Sequence, residues 1–335
     1  MSIKVGINGF GRIGRHFLRI SLSSKDVDVV AINDIADVKT CAHLLKYDSV
    51  FGVLQKNVEY DDDSITVDGQ RIQFFSERSP EAIDWSSCKS QVVVESTGIF
   101  TSQEQASLHI SGSVKKVVIS APPSSVVDFT TVMGVNDELY NPEQHNVISN
   151  ASCTTNCLAI VVKVLRDNFG LSSGHMTTIH SYTNDQRIID SPHKDLRRAR
   201  AGGLSMIPTS TGATKAIEVI FPELRGNLSA ISIRVPTPNV SMIDFVAKLE
   251  STVSTQDINN AFEDASKNLL ENYLDIAPEG AVSIDILQNK YSAVFDTFGT
   301  SVIGDNFIKV IAWYDNEYGY SSRVLDLVNK IGKLL

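Results

Sequence analysis

The sequence predicts an α/β chain, with a doubly wound parallel sheet first and then an α+β half built on a mainly antiparallel sheet. Three observations predict it. Apolar strand-like runs alternate with helical runs from the start, and a glycine-rich turn joins the first strand to the first helix. After residue 153 the strands become longer and more mixed in polarity. At 335 residues the chain is roughly twice a usual domain length, so two domains are expected.

Ile3–Asn8 reads as a buried strand, Gly9-Phe-Gly-Arg-Ile-Gly14 as the turn, and Arg15–Leu22 as an amphipathic helix. Val27–Ile32 is a second apolar strand that ends at Asn33-Asp34. Asp68-Gly69, between Ser64–Val67 and Gln70–Phe75, is a hairpin signal. Gln91–Ser96 and Lys116–Ser120 are continuous apolar runs of the kind found in buried parallel strands. The first domain is therefore drawn over residues 1–150. Asn146–Ser149 reads as a strand and Cys157–Leu165 as a helix. His175–His180, Leu228–Val235 and Phe307–Tyr314 suit an antiparallel sheet with one covered face. The apolar spacing from Ser321 onward predicts a closing helix, about 318–335, packed back on the first domain, which leaves 151–317 as the second.

Composition removes several function classes. The hydrophobic fraction of 42% is that of an ordinary globular protein. Runs such as Val92–Val94 and Val117–Ile119 are far too short to cross a bilayer. The first residues enter a strand pattern at once and leave no room for a signal peptide, so a cytoplasmic protein is expected. A net charge of −9 gives no footprint for nucleic acid or an anionic membrane. One basic cluster, Lys194-Asp-Leu-Arg-Arg-Ala-Arg200, is either a solvated surface or an anion or subunit contact. Four cysteines are too few for a disulfide scaffold. Cys41 and Cys88 stand alone, and Cys153 and Cys157 lack the further ligands of a structural zinc site, so no metal is expected.

A lone G-x-G-x-x-G is weak, but this one has a strand before it, a helix after it and Asp34 twenty residues beyond Gly14. Gly9 allows the tight turn, Gly11 lets the backbone approach a pyrophosphate, and Gly14 lets helix and strand pack closely. A pyrophosphate then lies against the positive helix N-terminus. Asp34 accepts hydrogen bonds from ribose hydroxyls and repels a 2′-phosphate. A Rossmann-type domain that favours NAD over NADP follows.

Ser152-Cys153-Thr154 falls at a strand-to-helix turn, where the helix field favours thiolate. With a pKa near 8.5, about 3% of a thiol is ionised at neutral pH, whereas a value lowered to about 6 gives about 90%. A lowered thiol pKa is therefore expected at Cys153. His180, ending the run His175–Ile179, is the candidate proton-moving partner. Cys157, one turn further on, reads as buried.

At these residues the chain resembles the phosphorylating glyceraldehyde-3-phosphate dehydrogenases, and the resemblance runs its whole length. It is carried by Ile7-Asn-Gly-Phe-Gly-Arg-Ile-Gly14, Leu45-Lys-Tyr-Asp-Ser49, Ser149-Asn-Ala-Ser-Cys-Thr-Thr-Asn-Cys157 and His180-Ser-Tyr-Thr-Asn-Asp-Gln186. Pro192–Arg200, Ile207-Pro-Thr-Ser-Thr-Gly-Ala213, Arg234-Val-Pro-Thr-Pro-Asn-Val-Ser241 and Trp313-Tyr-Asp-Asn-Glu-Tyr-Gly-Tyr320 complete the set. The resemblance implies that Cys153 attacks an aldehyde with His180 as base. Hydride passes to nicotinamide, and inorganic phosphate resolves the thioester. It implies that Thr183 and Arg234 hold the substrate phosphate of glyceraldehyde 3-phosphate. Ser152, Thr154, Thr211 and Gly212 would hold the attacking phosphate, with Arg198 nearby. For NAD it carries over Arg12, Ile13, Asp34, Arg78, Ser120 and Asn316, the last beside the nicotinamide carboxamide. The segment from about Thr183 to Gly203 resembles a loop that reaches a neighbouring subunit, which implies a homotetramer.

Some positions depart from the family pattern: Ile160 for a frequent proline, Phe51 for His or a small residue, Tyr318 for Trp, and Ser191 where NAD-specific members often carry Leu. Ser191 softens the exclusion of NADP without overturning Asp34. Erythrose-4-phosphate dehydrogenases share the fold, Cys and His but tend to lack Tyr-Thr-Asn-Asp and Thr-Ser-Thr-Gly, both present here. An RNA- or protein-binding role for the cofactor cleft has no independent support in an acidic chain.

Overall fold

Val5 and Ile7 lie fully buried in strand β1 (Ile3–Asn8), with neighbouring strands on both sides. In the computed structural model, residues 2–335 are described, and they cluster into two units. The first runs to Thr131, takes in Glu138–Ala151 and closes with Ser321–Leu335. Val132–Asp137 and Ser152–Tyr320 form the second.

After β1 the first unit continues with α1 (Arg12–Ser21), β2 (Val27–Asn33), α2 (Val38–Lys46) and the short pair β3 (Tyr47–Asp48) and β4 (Gly52–Val53). Next come β5 (Val58–Tyr60), β6 (Ser64–Val67), β7 (Gln70–Phe75), β8 (Val92–Glu95), α3 (Gln103–Ser107), β9 (Lys116–Ile119), β10 (Phe129–Thr130) and β11 (Val147–Ser149). Nine strands form one sheet in the order β10-β11-β9-β8-β1-β2-β7-β6-β5. Pairing is parallel from β10 across to β7, and β6 and β5 add antiparallel. Every residue of β8 and β9 is buried, the signature of strands covered on both faces. Asp68 and Gly69 both take positive φ, 48° and 87°, so the two-residue turn matches the twist of the strands it joins.

The second unit opens with α4 (Cys153–Phe169) and β12 (Leu171–Ser181), then β13 (Ile207–Thr209), α5 (Ala213–Ile220), β14 (Leu228–Val235) and β15 (Ser241–Leu249). Further on are α6 (Thr255–Lys267), β16 (Leu274–Ile276), β17 (Ala293–Ile303) and β18 (Phe307–Tyr314). Seven strands pair in the order β13-β14-β12-β15-β18-β17-β16. The sheet is mainly antiparallel, with parallel pairs at β12–β14 and β16–β17. Parallel pairing sets His180 opposite Arg234. Helix α4 starts four residues earlier than the apolar run suggests, because Ser152 caps it ahead of three poor helix formers. Leu158–Val162 of α4 are fully buried, the leucine, the isoleucine and the two valines each stabilising by about 1.5–3 kcal/mol.

Helix α7 (Tyr318–Leu334) ends the chain. Its Val324, Val328 and Ile331 are fully buried, and a Cβ on Gly332 would lie 2.9 Å from Cβ of Ile3, so helix and β1 approach closely. No described helix is long and apolar enough to cross a membrane.

Candidate active site

In the first unit a crevice of about 300 Å3 opens at the carboxyl ends of β1, β2 and β8, where the strand order reverses. Asn8, Gly9, Gly11, Asn33, Asp34, Arg78, Ser96 and Thr97 line it. Gly9 takes φ +90°, and a Cβ there would lie 2.6 Å from the Thr97 amide nitrogen. On Gly14 a Cβ would lie 2.3 Å from the Gly9 carbonyl oxygen, whereas one on Gly11 would meet nothing within 4 Å. Gly11 thus leaves open space at the N-terminus of α1, which no side chain caps. Asp34 accepts from the Phe10 amide at 2.6 Å and the Ala36 amide at 2.9 Å, so its carboxylate pins the glycine turn as well as lining the crevice. Arg12 opens α1 and pairs with Asp48 at 2.5 Å, its guanidinium 5.7 Å from the centre of the Phe51 ring. Ile13 follows it in the helix, and Ser120 follows β9 with its amide donating to the Glu95 carbonyl at 2.9 Å. An uncapped helix start, a backbone open at Gly11 and a carboxylate at the second strand's end fit the pyrophosphate and ribose of a dinucleotide.

Behind this crevice lies a buried network with no local sequence signature. Trp85 Nε1 donates to His109 Nδ1 at 3.1 Å, so the ring's proton sits on Nε2 and is given to Glu95 Oε2 at 3.0 Å. Asn8 Nδ2 donates to the same oxygen at 2.5 Å, and the Thr97 amide donates to Oε1 at 2.8 Å. A buried carboxylate so supplied with donors fixes the ends of β1 and β8.

In the second unit Ser152 caps α4, its Oγ accepting from the Thr155 amide at 3.0 Å, and Cys153 is the first helical residue. Ala151, two residues before it, takes φ +53°, a left-handed conformation that costs a residue with a Cβ. His180 stands near the end of β12 with Nε2 3.6 Å from the Cys153 sulfur. Its Nδ1 lies 2.7 Å from the Ser181 carbonyl oxygen, which can only accept. We assign the hydrogen to Nδ1 on this shorter contact, which leaves the Nε2 lone pair towards the thiol. Arg234 NH1 approaches the same Nδ1 to 2.9 Å and donates to the Ser181 carbonyl at 3.3 Å.

The electrostatics correct one expectation from the sequence. Burial pushes the Cys153 thiol up, and the charge of Arg234 and hydrogen bonds at the helix start only oppose it. Burial, then Arg234, drives His180 down to about 3, against the Ser181 hydrogen bond. Both directions favour the neutral forms, thiol and imidazole, over an ion pair. Spacing along the chain reveals a helix start but not the desolvation that outweighs its field. Cys157 is fully buried and its thiol is raised well above the ordinary range, and burial lifts Cys41 to about 12.

The residues expected to bind anions are placed unevenly. Arg234 is held as described, yet its Nε is buried with no protein partner among the described residues. Arg198 donates through Nε to Thr209 Oγ1 at 2.8 Å and through NH2 to the Ser210 carbonyl at 3.2 Å, and it also pairs with Asp185. Arg200 pairs with Asp190, so much of the basic cluster is neutralised within its own loop. Thr211 Oγ1 accepts from the Ala213 amide at 3.3 Å, and Gly212 stands at the start of α5 without a side-chain cap. The Thr183 amide donates to Gln186 Oε1 at 2.6 Å. No hydrogen bond among the described residues joins Thr183, Thr211 or Gly212 to the Cys–His pair.

Thr154 is buried, its hydroxyl 2.8 Å from that of Tyr314. Tyr314 also lies 2.8 Å from Thr178 Oγ1, which donates to the Met242 carbonyl at 3.2 Å. This chain ties the first turn of α4 to β12 and so fixes the Cys153–His180 separation. Sequence reasoning missed Tyr314 because its partners lie 160 and 136 residues away. Alternation along β18, which turns Tyr314 inward, is the one signal that could have drawn notice.

Two family models match the chain. Residues 3–103 match the NAD binding domain of glyceraldehyde 3-phosphate dehydrogenase, and residues 152–316 match the C-terminal domain of the same enzyme. The chain is 54% identical over 324 residues to glyceraldehyde-3-phosphate dehydrogenase 1 of Bacillus cereus, covering 97% of each chain. Identity is 52% over 331 residues with the glyceraldehyde-3-phosphate dehydrogenase of Priestia megaterium, covering 99% of this chain and 98% of that one. It is also 52% over 327 residues with the Geobacillus stearothermophilus enzyme, covering 98% and 97%. The chain belongs to the glyceraldehyde 3-phosphate dehydrogenase family. Its cofactor is accordingly NAD, and the family's nucleotide-binding region takes in the glycine turn and Asp34. The C-terminal region of the family begins at Ser152, one residue ahead of the thiol.

Proposed function

We propose that the chain oxidises glyceraldehyde 3-phosphate with NAD and inorganic phosphate to 1,3-bisphosphoglycerate, through a thioester on Cys153. The observation that carries this reading is His180 Nε2 held 3.6 Å from the Cys153 sulfur at the start of α4.

As the sulfur attacks the aldehyde carbon, His180 Nε2 takes the thiol proton and passes it to the new alkoxide, giving a hemithioacetal. The Cys153 amide, at the start of α4, suits that oxygen as it gains charge. NAD, when bound, supplies the hydride acceptor. His180 removes the hemithioacetal O–H proton as the C–H bond breaks, leaving a thioester. Phosphate attacks the thioester carbon, the sulfur leaves and regains a proton, and the acyl phosphate departs. The proton that His180 gathered in the oxidation goes to solvent.

Arg234 lies beside His180 and opposes an imidazolium. A substrate phosphate held by Arg234 and Thr183 offsets that charge, so His180 becomes a competent base as substrate arrives. Arg234 Nε, buried without a partner, is a donor in reserve for that phosphate. Ser152, Thr154, Thr211 and Gly212, with Arg198, are proposed for the attacking phosphate. Arg12, Ile13, Asp34, Arg78 and Ser120, with the three glycines, are proposed for the adenosine and pyrophosphate, and Asn316 for the carboxamide. Ile188, Leu196, Leu204 and Met206 are exposed by 91%, 82%, 86% and 76%, apolar surface that suits burial against further copies in a cytoplasmic homotetramer.

The test is NADH formation from NAD and glyceraldehyde 3-phosphate with and without phosphate, run beside NADP and beside erythrose 4-phosphate. Sustained turnover that needs phosphate and prefers NAD is expected. Phosphate-independent turnover, or a preference for erythrose 4-phosphate, contradicts the proposal.

A further inference from the structure

Asn316 is held by one end only. Its Oδ1 accepts from Ser181 Oγ at 2.9 Å and from Ser241 Oγ at 3.0 Å. The Ser241 hydroxyl oxygen in turn accepts from the Ser181 amide at 3.1 Å, which leaves its hydrogen for Asn316. Ser181 and Ser241 are 0% and 1% exposed and Asn316 7%, so this arrangement is shielded from competing water. No protein group among the described residues accepts from Nδ2. A primary amide offers one acceptor and two donors, and here the acceptor is saturated while the donors remain.

We infer that Ser181 and Ser241 form a latch that fixes the Asn316 amide with its NH2 outward, so that it reads the carbonyl oxygen of the cofactor's carboxamide. The inference rests on the reading that Asn316 meets that carboxamide. Ser181 then serves both halves of the chemistry: its carbonyl fixes the tautomer of His180, and its hydroxyl fixes the amide that orients the ring to be reduced. Neither serine touches substrate or cofactor, so both are positioning residues.

The latch has a chemical signature. A fixed donor needs only an acceptor on the ligand, so 3-acetylpyridine adenine dinucleotide, which keeps the carbonyl but lacks the NH2, satisfies it as NAD does. Without the serines the Asn316 amide can turn and present Oδ1 instead. Only NAD can answer by turning its own carboxamide to donate.

Calorimetric titration of the full chain with NAD and with 3-acetylpyridine adenine dinucleotide, supported by kcat/KM for each, separates the possibilities. In Ser181→Ala/Ser241→Ala the analogue's affinity is expected to fall about fivefold further than that of NAD, the net worth of one hydrogen bond. Asn316→Asp, which has acceptors alone, should shift the ratio the same way and by more. The single serine variants lie between if the double variant folds poorly. A ratio moved by Asn316→Asp but not by any serine variant overturns the latch and leaves the carboxamide contact standing. A ratio unmoved by Asn316→Asp overturns the contact, and the latch with it.

Discussion

His180 sits where two demands conflict: the role proposed for it is to accept a proton, yet burial and Arg234 hold its pKa at about 3. The value lies below the ordinary one near 6.5, so the unfolded chain takes up this proton first as pH falls. The contribution to stability is therefore complete above about 6.5 and is lost on acidification toward 3, at about 1.4 kcal/mol per pH unit. Denaturant unfolding of wild type and His180→Asn at pH 7, 6, 5 and 4 should show the variant losing less stability across that range. Parallel losses would mean that His180 is not held neutral. The same residue shows what its neighbourhood in the sequence hides. His180 and Cys153 are legible as a pair because each ends or begins an element, but the raised thiol is not, since desolvation comes from side chains that arrive by folding. Tyr314 and Ser241 stay hidden for the same reason.

At the scale of elements, the strand–glycine–helix opening is legible because each glycine answers a local steric demand. Gly14 is the sharpest case, with a Cβ 2.3 Å from the Gly9 carbonyl oxygen, which is backbone and cannot swing away. Gly14→Ala should force α1 from β1, costing about 1–3 kcal/mol by chemical denaturation and weakening NAD binding at the same time. Lost stability with unchanged NAD affinity would separate the packing role from the pyrophosphate site. The Asp68-Gly69 hairpin was legible on the same local grounds. Helix α4 is longer than its apolar run predicts because Thr154, Thr155 and Asn156 are poor helix formers, a weak preference that the Ser152 cap and burial of all three override. The parallel β12–β14 pair also lay beyond reach, since nothing near either strand reports its neighbour's direction.

Over the whole molecule the first unit's largely parallel sheet carries the crevice at Gly9 and Asp34, while in the second unit helix α4 carries Cys153 and the mainly antiparallel sheet carries His180 and Arg234. The texture of the strands made the two kinds of sheet legible, whereas the polar networks join residues far apart in sequence, as Asn8 with Glu95 and Thr154 with Tyr314. The claim on which everything turns is that the acyl group rests on Cys153 between oxidation and phosphorolysis. Rapid mixing of the enzyme with NAD and glyceraldehyde 3-phosphate, phosphate withheld, tests it most directly when the quenched protein is digested and weighed. A burst of about one NADH per subunit is expected, with an acyl group on the peptide bearing Cys153 that is released when phosphate is added. NADH formed with that peptide unmodified, or a burst retained in Cys153→Ser, would contradict it.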